Sequence, residues 1–241
     1  AGIAARANPK SSTGRIDVFT RLVTNRSRAF DEVPTGYSGP LYLEVSPRTF
    51  PIMVRPGDRL AQIRFKRKKP ETLKEKVVSI DLESTGDQPV GYRAKHHSGI
   101  VDLRGIGAHE ASQFWEPIWP RDGRIVLNPE EFYILVSREA VKVGAMEAAE
   151  MAPIAPELGE FRAHYAGFFD PGFGMAELDA ASTRAVLEVR SHDVPFLIEQ
   201  GQTVCRLVYE PMLEVPDVLY GSAGSNYQSQ GLRLAKHFIQ D

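Results

Sequence analysis

Cysteine is nearly missing: Cys205 is the single one in 241 residues. One thiol excludes a disulfide framework within the chain and fits a reducing compartment, so a cytoplasmic setting is expected. Cys205 itself lies in the strand-like run TVCRLVY and reads as a small core residue. Long apolar runs are missing as well. No stretch approaches the roughly 18 residues of a membrane-spanning helix, and no signal-peptide pattern is visible, so no membrane partner is expected. Charge of one sign is scarce, with a formal net charge of −2, so bulk electrostatics draws the chain to neither nucleic acid nor anionic lipid. The six histidines show no metal-ligand spacing, and no GxxxxGK[ST] phosphate loop occurs. The chain opens AGIAARANPKSS, without methionine, and reads as a fragment or a processed product.

What the chain does have is a long internal repeat. LEVSPRTFPIMVRPGDRLAQIRF, residues 43–65, returns as LEVRSHDVPFLIEQGQTVCRLVY, residues 187–209. Leu43/Leu187, Glu44/Glu188, Val45/Val189, Pro51/Pro195, Gly57/Gly201 and Phe65/Tyr209 keep one constant offset of 144. Such a period means one domain duplicated, since solenoid repeats usually run about 20–50 residues. The expected organisation is a first copy over 1–69, a charged linker over 70–76 and a second copy over 77–241. The first copy lacks the early strands that residues 77–137 give the second. Each copy places a glutamate inside an apolar strand, where a charge is costly unless paired or used.

Short β-rich runs broken by turn residues dominate the rest. Strands are expected around residues 16–19, in LYLEV, in PIMV and LAQIRF on either side of the Pro56-Gly57 turn, in VVSIDLES and GIVDLRG, on both sides of the turn in RIVLNPEEFYILVS, and in AVLEV. GAHEASQFWEPIW reads as a short helix, and one helical turn is expected before Pro153. KRKKPETLKEK, 66–76, reads as solvated linker, the alternative being a phosphate-binding patch. Residues 1–9 are small and polar. The tail after Pro211 is polar and reads as mobile, or as a flap that orders on ligand. The fold class is therefore mostly β, a barrel or jelly roll with few short helices.

Chemistry concentrates in four places. Ser11-Ser12-x-x-Arg15, with Lys10 beside it, can cradle phosphate oxygens through hydroxyls and a guanidinium, or be a Ser-rich turn. Glu44 and Glu188 are candidate proton carriers, because burial raises a carboxyl pKa. The alternative is a structural pairing, of Glu44 with Arg48 or Arg15 and of Glu188 with Arg190 or Arg184. AHYAGFFDPGF, 163–173, can wall a flat base or be a packed corner. Asn226-Tyr227-Gln228-Ser229-Gln230-Gly231 offers amides and a phenol.

In this order the motifs resemble the dCTP deaminase branch of the dUTPase superfamily, in its longer duplicated form. The match runs through Ser11-Ser12-x-x-Arg15, the loop from Ala166 to Asp170-Pro171-Gly172-Phe173, the strand with Glu44 or Glu188, and a tail with Tyr227, Gln228 and Gln230. The resemblance implies a duplicated, distorted β-barrel or jelly-roll fold and a homo-oligomer. It implies hydrolytic deamination of dCTP to dUTP, with Mg2+ on the triphosphate and no catalytic zinc. The HxE…PCxxC signature of zinc deaminases is absent. The alternatives are a dUTP pyrophosphatase, a bifunctional enzyme acting on dCTP and dUTP, and a non-catalytic nucleotide-binding protein.

Implied roles are proton transfer by Glu188, with Glu44 second, water orientation by Ser11, and charge support by Arg15. Lys10, Ser11, Ser12, Arg15, His164, Tyr165, Ala166, Asp170, Tyr227, Gln228 and Gln230 would bind the nucleotide. Lysine stands at position 10 where the family usually has arginine. The two copies depart from the pattern in complementary ways. The first keeps SSxxR but has Val33-Pro34-Thr35-Gly36 at the base loop. The second keeps Asp170-Pro171-Gly172 but has Ala155-Pro156-Glu157 for the serines. The expectation is a composite site, the competing one a site built on Glu44 of first copies.

Overall fold

The computed structural model describes all residues except 1, 26, 68–70, 85, 154–161, 164–166, 176–182, 192, 223–226 and 240–241. Strands dominate, as composition and turn spacing suggest. In chain order they are β1 (Ala4–Pro9), then the single turn α1 (Ser11–Gly14), β2 (Val18–Val23), β3 (Glu32–Val33), β4 (Tyr42–Pro47), β5 (Ile52–Met53) and β6 (Ala61–Lys66). Next come β7 (Lys74–Ser79), β8 (Gly91–Ala94), β9 (Val101–Asp102), the turn α2 (Ala111–Phe114), β10 (Trp115–Ile118), β11 (Arg124–Leu127) and β12 (Phe132–Ala140). The remainder are β13 (Glu147–Pro153), β14 (Arg162–Ala163), β15 (Phe168–Phe169), β16 (Arg184–Arg190), β17 (Phe196–Glu199) and β18 (Thr203–Pro211). They form small sheets, the largest ordered β10-β8-β12-β16-β14 and β15-β13-β18-β7, and no closed barrel forms among the described residues. This is a mostly-β, dUTPase-like fold.

The repeat reappears in strand register. β1 pairs β6 with Ala5 opposite Phe65 and Pro9 opposite Ala61. β13 pairs β18 with Ala149 opposite Tyr209 and Pro153 opposite Cys205, each partner 144 residues on. The copies differ in what lies on their outer edges. β16 is held between β12 and β14, and β18 between β13 and β7, whereas β4 and β6 each pair on one side among the described strands. Leu187, Leu207 and Tyr209 are therefore buried, while their equivalents Leu43, Ile63 and Phe65 are exposed. Each fully buried side chain of this size contributes about 1.5–3 kcal/mol.

The copies share a core. One buried cluster belongs to the second copy, around Leu127, Leu135, Leu187, Cys205 and Tyr209. The other joins Ile16, Val18 and Phe50 of the first copy to Trp115, Phe132, Val186 and Phe238 of the second. Charges line the seam between them. Arg6 pairs with Glu150 at 3.0 Å, Lys66 with Glu210 at 2.7 Å and Arg64 with Asp170 at 3.0 Å. All three cations come from the first copy and all three anions from the second. Arg6/Glu150 and Lys66/Glu210 are themselves repeat-equivalent positions, so the duplication has set opposite charges where identical copies would meet like ones.

Four readings of local structure are corrected. The charged run does not stay a linker to residue 76: β7 starts at Lys74 and is an edge strand on β18. Its lysines find partners, Lys74 reaching Glu147 at 2.6 Å and both Lys74 and Lys76 lying over the Tyr209 ring. The helical turn before Pro153 is strand β13, because pairing of its whole length with Cys205–Pro211 of β18 overrides the helix preference of Ala, Glu and Met. Residues 4–9 are strand β1 despite weak β-propensity, paired with β3 and β6. The end of the tail is core rather than a loose segment: Leu234, Ala235 and Phe238 are buried, with His109 and Phe238 bridged.

Candidate active site

The site begins at α1. Thr13 and Gly14 donate backbone N–H bonds to Lys10 O, and Arg15 to Ser11 O, closing one turn. Asp17 then takes a left-handed backbone, φ 56°, a conformation aspartate tolerates better than most side chains, and the chain swings into β2. Its buried carboxylate pairs with Arg190 and accepts the Thr49 hydroxyl. Arg190 lies two residues from Glu188 on β16, so this buried pair fixes the start of the chain against the strand that carries the glutamate.

Glu188 is buried, opposite Ile134 of β12. Burial pushes its carboxyl up to about 8, with the nearby Arg15 charge pulling the other way. Arg15 Nε stands 3.9 Å from Glu188 Oε1, an ion pair too long for a hydrogen bond. The rest of the guanidinium is held by the tail. Nη1 donates to Arg233 O at 3.1 Å, Nη2 to Gln230 Oε1 at 2.9 Å, and the plane stacks 4.0 Å from the centroid of the Tyr227 ring. Burial lowers the Arg15 pKa. Gln230 is fixed in turn, its Nε2 donating to Arg184 O and its backbone carbonyl accepting Arg184 N–H.

The opposite wall is the turn after β15. Gly172 and Gly174 have positive φ, and a Cβ on Gly174 would stand 2.0 Å from Val141 O, so only glycine lets the turn close there. Gln228 caps it, accepting Gly174 N–H and donating to Gly172 O. Asp170 is held by Arg64 of β6, whose guanidinium also lies over the Phe168 ring. Between these walls is a cavity of about 70 Å³ whose lining includes the polar Lys10, Ser11, Arg15, Glu188 and Gln230 and the aromatic Phe168, Phe169, Phe173, Tyr220 and Tyr227. A lining that mixes aromatic rings with a buried carboxyl suits a flat, partly polar ring.

Residues 66–238 match the family described as the C-terminal domain of 2′-deoxycytidine 5′-triphosphate deaminase, and residues 1–69 match its N-terminal domain. The chain belongs to the dCTP deaminase family. It is similar to the crystal structure of 2′-deoxycytidine 5′-triphosphate deaminase from Agrobacterium tumefaciens, with 52% identity, 90% of this chain and 71% of that chain covered, and a TM-score of 0.84. No curated protein sequence matches.

For a dCTP deaminase site, the sequence motifs land unevenly. Lys10, Ser11, Arg15, Asp170, Glu188, Tyr227 and Gln230 line one cavity. Ser12 is buried in α1 and Gln228 is turned to the glycine turn, so both support the walls without lining the cavity. Glu44 is exposed on β4, opposite Arg21, and is not among the residues lining the cavity; among the described strands β4 pairs only with β2, whereas β16 is covered on both sides. The expected partners of Glu188 are corrected. Arg190 pairs with Asp17 and Arg184 with Asp81, leaving Glu188 to Arg15. His164, Tyr165 and Ala166 lie outside the described residues. Gln62, Arg64, Phe168 and Tyr220 were not singled out from sequence; only the aromatic density of 168–173 hinted at any of them.

Proposed function

We propose that this chain deaminates dCTP to dUTP and ammonia, with Glu188 moving the protons in a site assembled from both copies of one chain. The observation that carries the reading is Glu188 itself, a buried carboxyl raised to about 8 inside a cavity and 3.9 Å from Arg15. Replacing the exocyclic amine of cytosine by oxygen needs three events: water adds to C4, N3 gains a proton, and the amine leaves as ammonia. A carboxyl that is protonated at neutral pH can donate to N3 as the C4–O bond forms. The resulting carboxylate takes a proton from the added water and passes it to the amine; as the C4–N bond breaks and ammonia leaves, the remaining C4 hydroxyl proton returns to Glu188, forming the C4=O of uracil and restoring the carboxyl. Arg15 steadies the carboxylate at the stage when it is ionised, an electrostatic role commonly worth about 3 kcal/mol. The Ser11 hydroxyl orients the water.

The triphosphate would run toward Lys10 and Ser11. The Lys10 pKa is lowered by burial and by the charges of Lys236 and Arg59, so these cations stand near one another. A polyanion relieves that repulsion. Mg2+ would arrive on the phosphate oxygens as part of the substrate. Tyr227 and Gln230 close the cavity on the Arg15 side and limit access of further water. Association of several chains is part of the reading. Tyr42, Phe65 and Val77 are apolar and more than half exposed, and apolar surface of that kind commonly marks an interface.

Separate incubation with dCTP and dUTP, scoring ammonia and pyrophosphate, tests the proposal. Ammonia from dCTP is expected. Pyrophosphate from dUTP as well would make the enzyme bifunctional, and neither product would contradict it.

A further inference from the structure

Away from the cavity, one loop of the second copy grips the end of the tail. It runs from Asp102, the last residue of β9, to His109. Gly107 donates its backbone N–H to Lys236 O at 2.9 Å, and Ala108 and His109 both donate to His237 O, at 3.0 and 3.1 Å. Ile239 donates back to His109 O at 2.9 Å. Gly107 has φ 57°, a left-handed backbone that glycine adopts without strain. The His109 ring packs on Phe238 with centroids 6.2 Å apart, and its Nε2 accepts Asp102 N–H at 3.1 Å, which ties the two ends of the loop together.

The first copy sets the base of this loop. β5 and β9 run parallel, with Met53 beside Asp102. Arg55 grips the Asp102 carboxylate with both arms, Nη1 to Oδ1 at 2.6 Å and Nη2 to Oδ2 at 2.9 Å. Such a fork fixes the orientation of a carboxylate as well as its distance. Oδ1 also accepts Arg104 N–H, and the Arg104 side chain returns to the first copy at Asp58. Position 199, the repeat equivalent of Arg55, is glutamate and pairs with Arg124 instead, so the duplication does not repeat the fork.

The grip is joined directly to the site. Lys236, whose carbonyl Gly107 holds, donates its own N–H to the Tyr227 hydroxyl at 3.3 Å. Tyr227 is the ring stacked on Arg15, and Arg233 O, on the same stretch of tail, accepts Arg15 Nη1. A tail held at residues 236–239 is therefore held against Arg15.

We infer that the Asp102–His109 loop is a latch for the tail, and that Arg55 and His109 are positioning residues that act on Arg15 through it. Arg55 fixes the base of the loop from the first copy, and His109 closes the loop on itself. The inference rests on the deaminase reading for its effect on turnover; the latch itself does not.

Hydrogen exchange of the full chain, read by mass spectrometry, tests the latch without turnover. In Arg55→Ala and in His109→Ala, amides of residues 232–239 should exchange about tenfold faster, while β12, β16 and β18 keep wild-type protection. Arg55→Lys keeps the charge without the fork and should fall between. With dCTP, Arg55→Ala should raise KM about five- to tenfold and leave kcat within about twofold, because binding must then order the tail before the chemistry begins. Unchanged tail exchange in both alanine variants would overturn the inference. So would exchange raised evenly through both copies, which is plain loss of stability. Faster tail exchange with unchanged KM would overturn the positioning role. If Arg55→Ala does not fold, Asp102→Asn, which keeps the shape and weakens the fork, takes its place. A wild type that releases no ammonia from dCTP sinks the deaminase reading alone, and the exchange pattern still decides the latch.

Discussion

Glu188 sets the pH behaviour of this chain. Its ordinary value of 4.5 rises to about 8 on folding. Below the ordinary value both folded and unfolded chains carry the proton and the group contributes nothing. Between the two values the folded chain holds a proton that the unfolded chain has lost, so stability falls as pH rises through this window, toward a full penalty of up to about 5 kcal/mol above it. Glu188→Gln removes the titration. Its stability relative to wild type should increase by about 2–4 kcal/mol between pH 5 and pH 8, read from denaturant midpoints. In the same variant deamination should be lost. In the wild type, kcat/KM for dCTP should decline as pH passes about 8, where the free site loses its proton. The glutamate and Arg15 were each legible in the sequence as motif residues. Their pairing was not, because Arg184 and Arg190 are closer in the chain and only the folded strand shows them committed to Asp81 and Asp17.

Among the elements, the repeated strand pairs were the most legible, since a constant offset fixes both strands and their register at once. Strand β1 was not, because alanine, asparagine and proline carry little strand signal and its place depends on β3 and β6. Nor was the seam, whose ion pairs join residues 106 to 144 positions apart. The Lys66–Glu210 pair is mostly buried on both sides. Lys66→Glu would set two carboxylates together there and should destabilise the chain by about 3 kcal/mol. Adding Glu210→Lys should recover most of that loss, as measured by thermal or denaturant unfolding. Failure of the double variant to recover would mean that the pair does not hold the copies together.

For the whole molecule, duplication was visible in the sequence but its consequence was only half visible. Two similar glutamates in two similar strands suggest two equal candidates. The fold separates them through neighbours that neither repeat contains: β12 and β14 enclose β16, while β4 pairs only with β2 among the described strands. The shared core and the charged seam then bring α1 of one copy against β16 of the other, which complementary losses in the motifs had suggested. The most direct measurement of this composite site is ammonia release from dCTP by Glu188→Gln and Glu44→Gln, assayed side by side. The account predicts a loss of about a thousandfold or more for Glu188→Gln and near wild-type turnover for Glu44→Gln. Full turnover in Glu188→Gln with loss in Glu44→Gln would contradict it.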